Sequence, residues 1–336
     1  MFAGPREMPV EERPDPVPGG DGVVVAVRAA GICGSDVHGF LGTTGRRRPG
    51  IVMGHEAAGD IVEVGPSVIS VRVGDRVVLK SILACGVCAR CRTGRPNLCV
   101  ERQGMGMHFD GAYAELIAVP NALLVPLPAT LTYELGALVE PLAVAMHAVN
   151  ITQFASMDRV VIVGAGPIGL LTLLATRLRG AGSVVVTDRN RHRLDVARRL
   201  GADLTVDVES MDPVAAVMAA TDGRGADVVF EAVGIDATVA TSLAVARAGG
   251  QVTLIGNSAP IVELPMQDVV TRELTLRGSY GFVDEFAGAL DALAGRRLDV
   301  RPLIELVAPL EDGPDLFDQL ADGQVDAVKV MLAPYG

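Results

Sequence analysis

From Asp158 onward the sequence alternates short β-branched runs with helical stretches, and this alternation narrows the possible folds more than any other feature. DRVVIVGAGPIGLLTLLATRLRG reads as strand, Gly-rich turn and helix, and SVVVTD as a strand. RNRHRLDVARRLGA reads as a helix ending at Gly201, while LTVDV, DVVFEAVG and QVTLIGN continue as strands with helical segments between them. Such alternation predicts an α/β domain with a doubly wound parallel sheet covered on both faces. Gly164-Ala165-Gly166-Pro167-Ile168-Gly169 fits G-x-G-x-x-G, and Asp188 ends the next strand nineteen residues beyond Gly169. Gly164 permits the tight turn, Gly166 lets the backbone approach a pyrophosphate, and Gly169 allows close helix–strand packing. The helix N-terminus adds free N–H groups for the phosphates. The spacing therefore predicts a dinucleotide site, a purely structural Gly-rich turn being the plainer alternative. Asp188 should accept hydrogen bonds from the adenosine ribose and repel a 2′-phosphate, which favours NAD over NADP. Arg189, Arg191 and Arg193 pull the other way if one of them holds a 2′-phosphate, and not at all if they line a solvated helix face.

The first half reads differently. VVVAVRAAG, AAGDIVEVG and VRVGDRVVL, within residues 20–80, are short β-rich runs broken by Gly, Pro and Asp. Four of the five cysteines follow within fifteen residues as C-x2-C-x2-C-x7-C: Cys85, Cys88, Cys91 and Cys99. Four thiolates surround Zn2+ tetrahedrally and leave no position for water, so this lobe, residues 81–110, reads as a closed structural zinc site. The fifth, Cys33, lies in GICGSDVH, and His55 and Glu56 follow in GHE. They make a second, open zinc site plausible, against the plainer readings of a core cysteine and a core histidine. Short strands are expected from Tyr113 to Leu127 and a helical stretch near Glu134 to Val149. The tail gives a helix, Glu285 to Ala294, and a strand, AVKVMLA. Its return to the first domain would make that domain discontinuous.

Composition removes several function classes. A chain of 336 residues, 49% hydrophobic, is long enough for two domains. A net charge of -11 argues against nucleic acid and anionic membrane surfaces. Aromatics at 4% with no Trp leave little for stacking bases or sugars. The first twenty residues lack the apolar core of a signal peptide. Val160 to Thr176, the longest uncharged apolar stretch, is interrupted by Gly164, Gly166, Pro167 and Gly169 and is barely long enough to span a bilayer. Cysteines in a metal pattern then point to a reducing cytoplasm.

GICGSDVH, GHE, the four-cysteine lobe and a G-x-G-x-x-G domain, in this order and over nearly the whole chain, resemble the zinc-dependent medium-chain dehydrogenase/reductases of the alcohol dehydrogenase superfamily. GALVEPLAVAMHAV resembles their sorbitol- and threonine-dehydrogenase branch. The resemblance implies a GroES-like catalytic domain over residues 1–147, a Rossmann-type NAD domain over 148–283, and a return to the catalytic domain over 284–336. It implies two zinc ions per subunit. Cys33 and His55 look like ligands of the catalytic one; no second cysteine is left for it, so Glu140, best placed by motif, and Glu56 compete for the third position. Ser35 and His38 match a proton relay, and Asp36 either supports the ligands or is a surface carboxylate. Arg193 matches a residue near the adenosine, Ile255, Gly256 and Asn257 end a strand where ligands gather, and Ser279 and Tyr280 match a segment under the nicotinamide. Lys329 is assigned only to structure.

The implied activity is zinc-dependent oxidation of a secondary alcohol (a polyol, sugar, cyclitol, amino sugar or hydroxy amino acid) with hydride transfer to NAD, by a cytoplasmic homo-oligomer of two or four subunits. Sorbitol fits poorly. Gly39 stands where sorbitol dehydrogenases carry a tyrosine, and Gly281-Phe282 where they carry an Arg-Tyr pair, so a wider pocket for a bulkier or less hydroxylated alcohol is expected. Met105, Met107, His108 and Phe109 either face that pocket or fill the lobe. The competing readings are an NADP-preferring ketone reductase, a non-catalytic zinc-binding scaffold and a zinc-ribbon nucleic-acid binder; the charge of -11 counts against the last.

Overall fold

The strand Gly22–Gly31, GVVVAVRAAG, is buried at every position but Arg28. A run of β-branched residues with so few polar interruptions suits a strand covered on both faces. It pairs antiparallel with Glu56–Val64, Leu116–Pro120 and Lys329–Leu332, so it lies at the centre of a seven-stranded sheet. The sheet runs in the order Ile304–Ala308, Lys329–Leu332, Gly22–Gly31, Glu56–Val64, Arg76–Leu79, Leu124–Pro126. This computed structural model describes residues 1–335. Its chain divides into two compact units, Met1–Glu140 with Phe286–Gly336, and Pro141–Glu285.

Within the first unit the tail does more than the sequence reading gave it. Beyond the final strand it supplies Ile304–Ala308, parallel to that strand, and the helix Gly313–Ala321. Phe317 of that helix is fully buried, its ring centroid 5.5 Å from Phe40 and 5.6 Å from Tyr113. Phe40 closes a short helix, Gly34–Phe40, inside a segment read from sequence only as β structure. This helix follows Cys33 and turns the chain out of the central strand. It forms although Cys33, at its N-cap, offers no side-chain cap, because tertiary packing stabilises short helices more than local propensity does.

The second unit holds six parallel strands in the order Leu204–Asp207, Ser183–Asp188, Arg159–Val163, Ala226–Glu231, Ala246–Leu254, Thr275–Gly278. Strand order reverses beside Arg159–Val163, which places a ligand crevice at the carboxyl ends of that strand and Ala226–Glu231. Asn190 caps the helix Arg191–Arg199 by accepting from the Arg193 N–H at 3.0 Å, and Asp212 caps Pro213–Ala220. The single helix expected near Glu134 to Val149 is two, Tyr133–Ala137 and Val139–Ile151, broken at Leu138, so Glu140 falls in the first turn of the second. Together, Tyr133–Ile151 is long and apolar enough to cross a membrane, but 67% of that stretch is buried inside the protein, as a core helix would be.

Phe317→Ala removes the ring that joins the tail helix to Phe40 and Tyr113. We expect it to cost the first unit about 3–5 kcal/mol, read as an earlier urea transition. A loss below about 1 kcal/mol would mean that the tail helix is not part of that core.

Candidate active site

The four-cysteine lobe is drawn together by a four-residue helix, Ala89–Arg92, and a 3-10 turn, Pro96–Leu98. Sγ–Sγ separations are 3.5 Å for Cys85–Cys99, 3.6 Å for Cys88–Cys91 and 3.9 Å for Cys88–Cys99. Four sulfurs each about 2.3 Å from a central zinc lie about 3.8 Å apart, whereas a disulfide needs about 2.05 Å. The sulfurs fit a zinc ion and form no disulfide. Backbone N–H groups of Cys85 and Cys88 point at the sulfurs of Cys99 and Cys85, each at 3.4 Å.

Cys33, His55 and Glu56 form the second cluster, with one ligand atom from each lying within 4.8 Å of the others. Cys33 sits where the central strand gives way to the helix Gly34–Phe40, and Glu56 opens the neighbouring strand, facing Gly31. A Cβ on Gly31 would lie 2.3 Å from Glu56 Oε2, so only a glycine leaves room for that carboxylate. His55 Nδ1 lies 3.3 Å from Asp36 Oδ2. An Nδ1–H donated to Asp36 leaves the lone pair on Nε2 for a metal. One thiolate, one imidazole and one carboxylate, with no fourth protein ligand among the described residues, fit a zinc site that keeps a position open.

Charged groups support this cluster. Asp36 is fully buried and is not a surface carboxylate: it accepts from Arg47 Nη2 and the Tyr113 hydroxyl, both at 2.8 Å. Burial alone would raise its pKa, but His55 and Arg47 outweigh burial and hold it well below the usual carboxylate range. Lys329 packs against the same cluster. Its Nζ donates to Glu56 Oε2 at 2.7 Å, Glu56 Oε1 at 3.0 Å and the Ile32 carbonyl at 3.1 Å. Burial disfavours its charge, yet Glu56 and Cys33 raise its pKa on balance. Glu140 is buried and accepts from Ser81 Oγ at 2.6 Å. It falls outside the mutual 4.8 Å set. Burial pushes its carboxyl up to about 7; the charge of Glu56 adds to this, and His55, Ser81 and Lys329 oppose it.

Ser35 and His38 lie on the helix Gly34–Phe40, Ser35 exposed and His38 half-buried, outside the ligand cluster. The space expected beside Gly39 is taken: Arg47 Cγ lies 2.7 Å from where a Cβ on Gly39 would be. Met105 is core, Met107 and Phe109 are half-buried, and exposed His108 accepts the Gly104 N–H at 2.9 Å. Sequence reasoning passed over Arg47, Tyr113 and Ser81, none of which stands in a motif. Lys329 did carry a signal, since a lysine inside the apolar run AVKVMLA must be paired if that strand is buried.

In the second unit Gly164 has φ +104, and a Cβ on Gly169 would lie 1.8 Å from the Gly164 carbonyl oxygen. A Cβ on Gly166 would meet nothing within 4 Å beyond its neighbours in the chain, which leaves the approach of a pyrophosphate clear. Pro167 and Ile168 open the helix Pro167–Leu178. Asp188 braces the turn: Oδ2 accepts the Ala165 N–H at 2.6 Å and Oδ1 the Asn190 N–H at 2.8 Å. Each oxygen keeps a lone pair for a ribose hydroxyl. Arg191 is committed to Asp207 at 2.7 Å, Arg193 is half-buried, and Arg189 is exposed beside Asp188. The backbone N–H groups of Ile255 and Gly256 donate to the Glu231 carbonyl at 2.8 and 3.0 Å, and Asn257 follows on the same loop. The Ser279 N–H donates to the Leu254 carbonyl at 2.9 Å, its buried Oγ has no partner, and Tyr280 is exposed.

Residues 19–129 match the alcohol dehydrogenase GroES-like domain and residues 167–295 match the zinc-binding dehydrogenase family. The chain is 32% identical to a sorbitol dehydrogenase of Bacillus subtilis (strain 168), covering 98% of this chain and 95% of that one. It is 36% identical to an L-idonate 5-dehydrogenase of Vitis vinifera, over 92% and 87%. A zinc-binding dehydrogenase from Sinorhizobium meliloti 1021, solved bound to NADP, superposes with a TM-score of 0.93 at 34% identity, over 99% and 98%. The chain belongs to the zinc-type medium-chain alcohol dehydrogenase superfamily, with a GroES-like domain and a Rossmann-type domain. It is an oxidoreductase of the kind that acts on small alcohols.

Gly169→Ala should drive a methyl group into the Gly164 carbonyl and distort the turn, costing about 1–3 kcal/mol. We expect NADH fluorescence titration to show weakened binding with the zinc content of the protein unchanged. Unchanged NADH affinity would show that this turn does not cradle the nucleotide.

Proposed function

We propose that the protein oxidises a secondary alcohol to a ketone with NAD as hydride acceptor, in the cytoplasm, as a dimer or tetramer. The buried cluster of Cys33, His55 and Glu56 carries the reading. Cys33 Sγ, His55 Nε2 and a Glu56 oxygen hold the catalytic zinc, with Glu140 adjoining as the alternative oxygen ligand, and Cys85, Cys88, Cys91 and Cys99 hold the second ion. When bound, zinc lowers the pKa of an alcohol and a nicotinamide takes up the hydride. Asp36 fixes the His55 ring, and the burial of Glu56 and Glu140 keeps bulk water from the ligands. Ser35, exposed on the helix that follows Cys33, and half-buried His38 on the same helix pass the released proton outward.

In the nucleotide unit, Gly166 leaves room for the pyrophosphate, the N-terminus of Pro167–Leu178 faces the phosphates, and Asp188 takes the adenosine ribose. Arg193 lies near the adenosine, and Ile255, Gly256, Asn257, Ser279 and Tyr280 line the nicotinamide half. The substrate is a polyhydroxy compound or hydroxy acid, in keeping with the sorbitol and L-idonate enzymes it resembles. A second reading, NADP as partner, draws on exposed Arg189 beside Asp188 and on the NADP-bound structural relative.

A panel of polyols, sugar acids, cyclitols and hydroxy amino acids, assayed for NADH and NADPH formation, tests this reading. We expect at least one secondary alcohol to be oxidised, with kcat/KM favouring NAD by roughly ten-fold, a difference of about 1.4 kcal/mol. Asp188→Ser should shrink or reverse that ratio by removing the charge opposed to a 2′-phosphate. A wild-type preference for NADP would overturn the role given to Asp188, and no turnover of any alcohol would overturn the activity.

A further inference from the structure

We propose that Lys329 is a positioning residue of the Cys33–His55–Glu56 metal centre, acting through Glu56. The inference rests on the reading of Glu56 as a metal ligand. Lys329 is 1% exposed in a strand whose other residues are all buried and apolar. A lysine has three N–H donors. All three are spent within hydrogen-bond distance, two on the Glu56 carboxylate and one on the Ile32 carbonyl, immediately before Cys33 in the chain. The same carboxylate lies over Gly31, where any side chain would strike it. Glu56 is thus gripped through both oxygens by a cation and laid flat by a glycine, while one lone pair on each oxygen remains for a metal.

The charges give the grip a chemical consequence. As zinc ligands, Cys33 and Glu56 each bring one negative charge and His55 brings none. Lys329 returns one positive charge, so the set faces the metal with a net charge of about -1 rather than -2. Hydrogen bonds from Nζ also draw electron density off the carboxylate. Lys329 therefore keeps the bound metal electron-poor, the condition under which it acidifies an alcohol best. It holds Glu56 in one orientation, so the carboxylate does not swing over the open position. A lysine that only anchored the strand would have the opposite effect on the metal when removed, letting it go faster.

Lys329→Met tests this in the purified holoenzyme. Zinc release is followed with a chromophoric chelator, beside kcat and KM for an alcohol identified by the panel. The expected result is slower release of the zinc held by Cys33 and His55, with kcat lowered by about 10–100-fold, the usual scale for groups that orient metal ligands, and KM changed much less. Faster zinc release, or an unchanged kcat, would overturn the proposal. Lys329→Gln, which keeps N–H donors but drops the charge, should lower kcat in the same way; wild-type zinc release and kcat in this variant would overturn the proposal even if Lys329→Met does not fold. Glu56→Gln separates the two readings. Unchanged zinc retention in that variant removes Glu56 from the metal, and the role of Lys329 with it. Impaired Glu56→Gln beside wild-type Lys329 variants removes the role of Lys329 alone.

Discussion

A carboxylate taken out of water has to be paired, and Glu56 is paired with a lysine 273 residues away along the chain. Breaking a buried pair of this kind by removing one partner costs about 3–5 kcal/mol. That penalty ties the final strand to the strand that opens at Glu56. Asp36 imposes the same demand through Arg47, Tyr113 and His55. Four separate stretches, residues 31–36, 47–56, 113 and 329, must therefore be in place before Cys33, His55 and Glu56 can line up. The tail that returns to the first unit closes this cluster through Lys329, and the helix that carries Phe317 belongs to the same tail.

Carboxylates organise the nucleotide unit too, but over shorter sequence distances. Asp188 accepts from the backbone of the glycine turn and from Asn190. Glu231 accepts the Val233 and Gly234 N–H groups on its side chain, at 2.9 and 2.7 Å, and those of Ile255 and Gly256 on its carbonyl. Each acidic residue ends a strand of the parallel sheet and pins the loop that follows, at the edge of the crevice where strand order reverses. Preformed loops reduce the ordering that a ligand must impose when it binds.

The features legible in the sequence are those whose physics is local. The turn Gly164 to Gly169, the β-branched runs of the parallel sheet and the spacing of four cysteines each show within about twenty residues, and they gave both the fold class and the family. The helix Gly34–Phe40 was hidden because packing of Phe40 against Phe317, far along the chain, stabilises it. Ile304–Ala308 and Gly313–Ala321 were passed over in a tail read for only one helix and one strand. Arg47, Tyr113 and Ser81 stand in no motif, and their meaning comes from partners 11, 77 and 59 residues away. Motif spacing ranked Glu140 ahead of Glu56 as the oxygen ligand, whereas the fold sets Glu56 beside Cys33 and His55 and turns Glu140 toward Ser81. The roomier pocket inferred from Gly39 overlooked Arg47, which closes over that glycine from a different loop.

Anomalous diffraction at the zinc edge, on crystals of the purified protein, distinguishes a chain with one closed and one open metal site from a chain with the closed site alone. Two peaks per chain are expected: one about 2.3 Å from the sulfurs of Cys85, Cys88, Cys91 and Cys99, the other bonded by Cys33, His55 and a glutamate oxygen with a fourth position free of protein. A single peak in the cysteine lobe, or a second metal enclosed by four protein ligands, would rule out the open site.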